Sequence, residues 1–160
     1  MITVKVKGLT ETLRRIEEYQ KGVQRKANEL ARRLAEMGAT NVSLMFARAI
    51  YDGQNIYNVN VEDTPSGGYK IVVNGDAVAV VEFGAGVTYG YGHPQAAEFG
   101  VGPGTYPDGK GHWNDPKGWW IPRDKGGGHT YGNPANMPMY NTAADLRQEL
   151  ARVAREVFQS

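Results

Sequence analysis

The stretch Leu9–Ala49 reads LTETLRRIEEYQKGVQRKANELARRLAEMGATNVSLMFARA. Leu9, Leu13, Ile16, Tyr19 or Gln20, Val23, Ala27, Leu30, Leu34 and Met37 recur at steps of three or four, and Val42, Met45 and Ala49 continue the stripe. Apolar side chains at that spacing share one face of an α-helix. Arg14, Arg15, Glu17, Glu18, Arg32, Arg33 and Glu36 fill the other faces, which reads as a solvated surface. The spacing predicts one long amphipathic helix, or two with a break at Lys21–Gly22, and Gly38 is a second weak point. Thr10 is placed to cap the first turn by accepting from a free backbone N–H.

Upstream of this helix, Ile2, Val4 and Val6 alternate with Thr3, Lys5 and Lys7, the period of a short strand with one buried face, and Gly8 ends it. Downstream, Tyr51-Asp52-Gly53 is a turn signal. Tyr57, Val59 and Val61 alternate with polar residues, Thr64–Gly68 (TPSGG) turns the chain, and Tyr69–Asn74 (YKIVVN) returns. This is an antiparallel hairpin with a loop longer than the tightest type. Ala77–Phe83 is a short apolar run that suits a buried helical turn or a strand equally. At the far end, Ala143, Leu146, Leu150, Val153 and Val157 step by three and four, predicting a C-terminal amphipathic helix capped by Asn141 or Thr142. Helices on one face of a small antiparallel sheet make an α+β fold, here expected as one domain over residues 1–160 with an extended loop over about 84–137.

The bulk numbers remove several functions. A chain of 160 residues suits one domain with a modest core. A formal charge of +1 gives no global field to attract nucleic acid or acidic membranes. With no cysteine, disulfide scaffolds and thiolate metal sites are excluded. The opening MITVKVKG is not a signal peptide, and no segment approaches the ~20 apolar residues that span a bilayer, so a soluble protein made inside a cell is expected.

Between Val81 and Tyr140 the chain is rich in Gly, Pro, Tyr and Trp and has little periodicity. Compact domains seldom carry so long a connection without a use for it, and aromatics on a glycine-rich loop suit ordering against a partner. His93, His112 and His129 lie here with Glu98, Asp108, Asp115 and Asp124, but their spacing matches no zinc motif, and surface histidines are the preferred reading. Gly100–Gly111 (GVGPGTYPDGKG) lacks the GxxxxGK[ST] pattern of a phosphate loop and reads as a series of turns. GxSxG does not occur, and no pair of acids is singled out for glycoside cleavage. Aromatic surface from Tyr89, Phe99, Trp113, Trp119, Trp120 and Tyr131 suits protein contact best, since Trp and Tyr anchor interfaces. The plainer alternative is that one of Trp119 and Trp120 closes the domain's own core.

Three motifs carry a resemblance: VEFGAG (Val81–Gly86), GWWIP (Gly118–Pro122) and the PMYNTA run (Pro138–Ala143), after a short strand and a long charged helix. In this order, with His93-Pro94 in the insertion, the sequence resembles the siphophage neck or tail-completion family, head–tail joining proteins also labelled minor tail components. Glu98–Asp115 looks like an expansion of a loop that is shorter in the family. The resemblance covers almost the whole chain and implies a structural virion protein without catalytic residues, cofactor or metal. Its copies would form a ring at the neck, binding head-connector or head-closure proteins on one side and tail-terminator or tail-tube proteins on the other. Genomic DNA would pass through without sequence-specific contact, and no membrane would be involved. The subunit would be made in the host cytoplasm and end in the virion.

Expected interface residues are Glu82, Phe83, Gly84, Trp113, Trp119, Trp120, Pro122 and Tyr140. Within that set, Phe83 is expected to pack inside a turn for which Gly84 supplies a backbone angle closed to other residues. Two rivals remain. One is a metal-dependent hydrolase using the loop histidines, and the other a polysaccharide-binding module using the Trp and Tyr side chains.

Overall fold

The structure, a computed structural model, describes residues 8–89, 92–101 and 115–159. The expected strand at Ile2–Val6, together with His112 and Trp113, lies outside the described residues. The fold is α+β. Helix α1 (Leu9–Ala47) is followed by β1 (Tyr57–Asp63), β2 (Tyr69–Gly75), a short helix α2 (Val78–Phe83), the two-residue strands β3 (Trp119–Trp120) and β4 (His129–Thr130), and helix α3 (Pro138–Gln159).

Helix α1 is continuous through both glycines. Its N-cap is Gly8, with no side-chain cap, and the hydroxyl of Thr12 rather than Thr10 bonds the Gly8 carbonyl. Gly38 is a packing residue. A Cβ there would stand 2.5 Å from Ile71 Cδ1 and 2.8 Å from Leu146 Cδ1, so its absence lets the sheet and α3 close on the helix. Exposed ion pairs such as Arg14 to Glu11 (2.9 Å) and Glu18 (2.6 Å), and Arg32 to Glu29 (2.9 Å), staple successive turns.

The β1–β2 hairpin is antiparallel in the register Tyr57↔Gly75, Val59↔Val73, Val61↔Ile71. That register puts Tyr57 and Val59 on the same face as Ile71 and Val73, and this face covers the core formed by Val42, Phe46, Ala77 and Val81. The Tyr57 ring lies 5.2 Å from that of Phe46, and its hydroxyl donates to the Ser43 carbonyl at 2.9 Å. Ala77–Phe83, open to two readings in the sequence, resolves as helix because Ala77 and Val81, four apart, both face this core.

Helix α3 runs antiparallel along α1. Thr142 at its start contacts Met45, Leu146 lies over Gly38, and Lys26 donates to the carbonyl of Phe158 near its end. Val153 and Val157 are buried in this packing. The helix starts at Pro138, earlier than expected, and neither Asn141 nor Thr142 caps it. Its capping group comes from elsewhere in the chain.

Candidate functional site

The carboxylate of Glu82 occupies the N-terminus of α3. Met139 N–H donates to Oε2 at 2.8 Å and Tyr140 N–H to Oε1 at 2.9 Å. A helix start leaves such N–H groups unpaired and carries partial positive charge, so an anion there is doubly favoured. Pro138 fits the first helical position because it has no N–H to satisfy. Glu82 is 57 residues before the first amide it accepts from, so this cap has no local sequence signature.

His93 completes the cluster. Its Nδ1 accepts from the Gln95 backbone N–H at 3.1 Å, which assigns the ring proton to Nε2, and Nε2 lies 3.2 Å from Glu82 Oε1. The imidazole sits against Phe83 (4.4 Å between centroids) and edge-on to Tyr140 (5.2 Å). Both Glu82 and His93 are buried. Both imidazole nitrogens are therefore engaged within the protein.

The chain after α2 is laced to the chain before α3. Ala85 and Asn133 exchange backbone hydrogen bonds at 2.9 Å. The last carbonyls of α2 are met in turn: Val80 by Asn133 Nδ2 (2.9 Å), Val81 by Asn136 N–H (3.0 Å) and Glu82 by Met137 N–H (3.2 Å). Asn136 also ties in the segment after α1, accepting from Ile50 N–H at 2.8 Å and donating to the Ile50 carbonyl at 3.1 Å. The close approach of the two segments depends on glycines, Gly84 and Gly132 among them. Gly84 has φ 79° and a Cβ there would be 2.7 Å from Ala135 N, while at Gly132, φ 101°, it would be 2.0 Å from the Ala85 carbonyl oxygen.

The expected site residues fall into two groups. Glu82, Gly84 and Tyr140 meet in this clasp. Phe83, expected inside, is half-buried and lies against His93 and Phe99, because the turn sends the carboxylate inward to the helix start. Trp119, Trp120 and Pro122 lie on the β3–β4 hairpin, whose second strand leads into the clasp. Trp119 is half-buried opposite Thr130, whereas Trp120 is 75% exposed and edge-on to His129, which is in turn edge-on to Tyr131. The hairpin is held by Thr130, whose hydroxyl donates to Asp52 at 2.7 Å, by Gln54 N–H to the Lys125 carbonyl at 3.1 Å, and by the Lys125–Asp76 ion pair.

Sequence reasoning missed His93, Thr130, Asn133 and Asn136 as structural polar residues. Their available signal was weak: a helix beginning at Pro138 without a Ser, Thr, Asp or Asn immediately before it implies a cap from elsewhere. Among the described residues no group of three His, Asp or Glu side chains is placed to hold a metal ion. An open cleft of ≈400 Å³ between α1, β2 and α3 is lined mainly by apolar residues such as Leu34, Ile71 and Leu146, with no carboxylate, amine or imidazole among them. No described helix is long and apolar enough to cross a membrane. Compared with protein-family models, with curated proteins and with solved structures, the chain finds no match.

Proposed function

We propose that the protein is a structural subunit of a tailed-bacteriophage neck, forming a ring that joins the head connector to the tail tube and leaves a channel for DNA. The supporting observation is the convergence of the motifs that carry the resemblance. VEFGAG and the start of the PMYNTA run, far apart in sequence, form one clasp, and GWWIP lies on the hairpin that leads into it. The polar groups of the clasp are spent on holding the chain together, which suits a building block better than a catalyst. Among the groups left outward, beside charged Arg123 and Lys125, are the aromatic rings of Trp120 and Tyr131, residue types that anchor protein contacts.

The test is the mass of the purified protein by light scattering over a concentration series, before and after addition of connector and tail-tube proteins. The reading expects a closed ring, or a monomer that joins one when those partners are present. A monomer indifferent to both overturns it. The exposed Trp120–His129–Tyr131 row also suits a polysaccharide-binding module. That reading expects a tryptophan fluorescence change on adding polysaccharide, and the joining role expects none.

A further inference from the structure

The β1–β2 hairpin is a two-stranded sheet, and among the described residues β1 pairs with β2 alone. The outer edge of β1 therefore presents N–H and C=O groups at every second residue with no strand to receive them. Beside that edge runs an open groove, walled by Tyr57 and Val59 and floored by Ala39, Thr40, Ser43 and Leu44 of α1. Ala39, Thr40 and Ser43 are short, so a further strand can lie against the helix there, and Leu44, 49% exposed, is left for it to cover. We infer that this edge takes residues 2–6 of a second copy as a third strand, parallel to β1, so that each subunit holds the arm of a neighbour.

Residues 2–6 lie outside the described residues, and it is their sequence that fits the edge. Ile2, Val4 and Val6 would fall on the side of Tyr57, Val59 and Val61, over α1, and Thr3, Lys5 and Lys7 on the solvent side with Asn58, Asn60 and Glu62. Charge sets the direction. β1 ends in Glu62 and Asp63; Glu62 meets Lys70 of β2 at 2.9 Å, and Asp63 has no ion pair among the described residues. A parallel strand brings Lys5 and Lys7 to this acidic end, whereas an antiparallel one brings Thr3 there. Chain length sets the source. Helix α1 begins at Leu9, so Ile2 can stand at most about 25 Å from that residue. At ~1.5 Å per residue, Leu9 is about 45 Å from Thr40. It is about 33 Å from Ala31, which lines the same cleft as Tyr69, the residue opposite Asp63. The segment falls short of both ends of its own β1, so the strand comes from another molecule. The contact is head-to-tail, and repeated copies make a ring when the rotation closes. It stands apart from the neck reading, which adds only where such a ring would sit.

The chain has no cysteine, so mixed single-cysteine variants report the added strand directly. In the full-length protein, Lys5→Cys mixed with Asn60→Cys is expected to give a dimer cross-linked by a short bis-maleimide, and neither variant with itself. The mixture is tested alone and after addition of connector and tail-tube proteins. Thr3→Cys is expected to link to Asn58→Cys and not to Glu62→Cys. Val4→Lys in the cysteine-free protein should weaken self-association seen by sedimentation by at least ~100-fold while leaving the circular-dichroism melt of the dilute monomer unchanged. Linkage of Thr3→Cys to Glu62→Cys would show an antiparallel strand and overturn the inference. So would a double variant, Lys5→Cys with Asn60→Cys, that links within one chain when dilute. Failure of the mixed variants to link under both conditions would overturn it too, as would linkage of Asn60→Cys to the connector or tail tube instead. A ring that Val4→Lys leaves intact would refute the arm and leave the joining role standing. Arm exchange in a protein indifferent to connector and tail tube would do the reverse.

Discussion

The two halves of α1 have nearly the same pattern and opposite fates. From Leu34 to Phe46 the helix lies under the hairpin and α3, with Val42 and Phe46 inside the core. From Leu9 to Val23 it carries an equally regular apolar stripe that stays open to solvent, and Tyr19 beside it is 74% exposed. Amphipathic spacing therefore fixes the side on which a helix will pack, but not whether anything packs there. In the covered half the cover is secured by the Glu82 clasp, which sets where α3 begins and hence how far along α1 it reaches.

That contrast makes unequal demands on substitutions, measured by chemical denaturation of dilute protein. Glu82→Ala should cost about 3–5 kcal/mol, because it strips the acceptor from two helix-start amides and from buried His93. Glu82→Gln keeps an acceptor oxygen and should cost about 1–3 kcal/mol; equal losses for the two variants would mean the charge alone matters.

Phe46→Ala should cost about 3–5 kcal/mol by leaving a cavity in the core. Gly38→Val should cost about 1–3 kcal/mol by driving Ile71 and Leu146 off the helix. In the open half, Leu13→Ala in the dilute monomer should change stability by less than about 0.5 kcal/mol. If it matched Phe46→Ala, the two halves would be equally covered and the distinction between them would fall.

The smallest expected effect is on acid stability. Hydrogen bonds from Arg14 and Arg15 hold the Glu11 carboxyl below its ordinary value of 4.5, and Arg33 and Arg32 do the same for Glu29. Because the folded values are lowered, their contribution is present above pH 4.5 and is lost as pH falls through the lowered values. Both groups are exposed, so salt screens the effect. Helicity followed by circular dichroism should fall slightly on acidification below pH 4.5, and less in high salt; a fall on raising the pH instead would contradict the ion pairs.

The elements readable from sequence were those set by near neighbours. The period of α1 and α3, the alternation of Tyr57–Val61 and the TPSGG turn each depend on residues a few positions apart, so helices and hairpin were expected close to where they stand. The same local logic misjudged Gly22 and Gly38 as weak points. A glycine's cost to a helix is intrinsic, whereas the close packing that Gly38 permits depends on Ile71 and Leu146.

The clasp was legible only as a cluster of motifs. Gly84 was expected to take an angle closed to other residues, and it does so at φ 79°. That Glu82 would turn inward to cap α3, with His93 behind it, depends on segments brought together across 57 residues. A buried carboxylate looks the same in sequence as a solvated one, since its stability depends on the donors the folded chain delivers. In this chain, local periodicity dictated which faces were apolar. Three-dimensional packing then chose which of those faces were covered, because burial depends on distant segments and leaves no trace in the spacing of the residues buried.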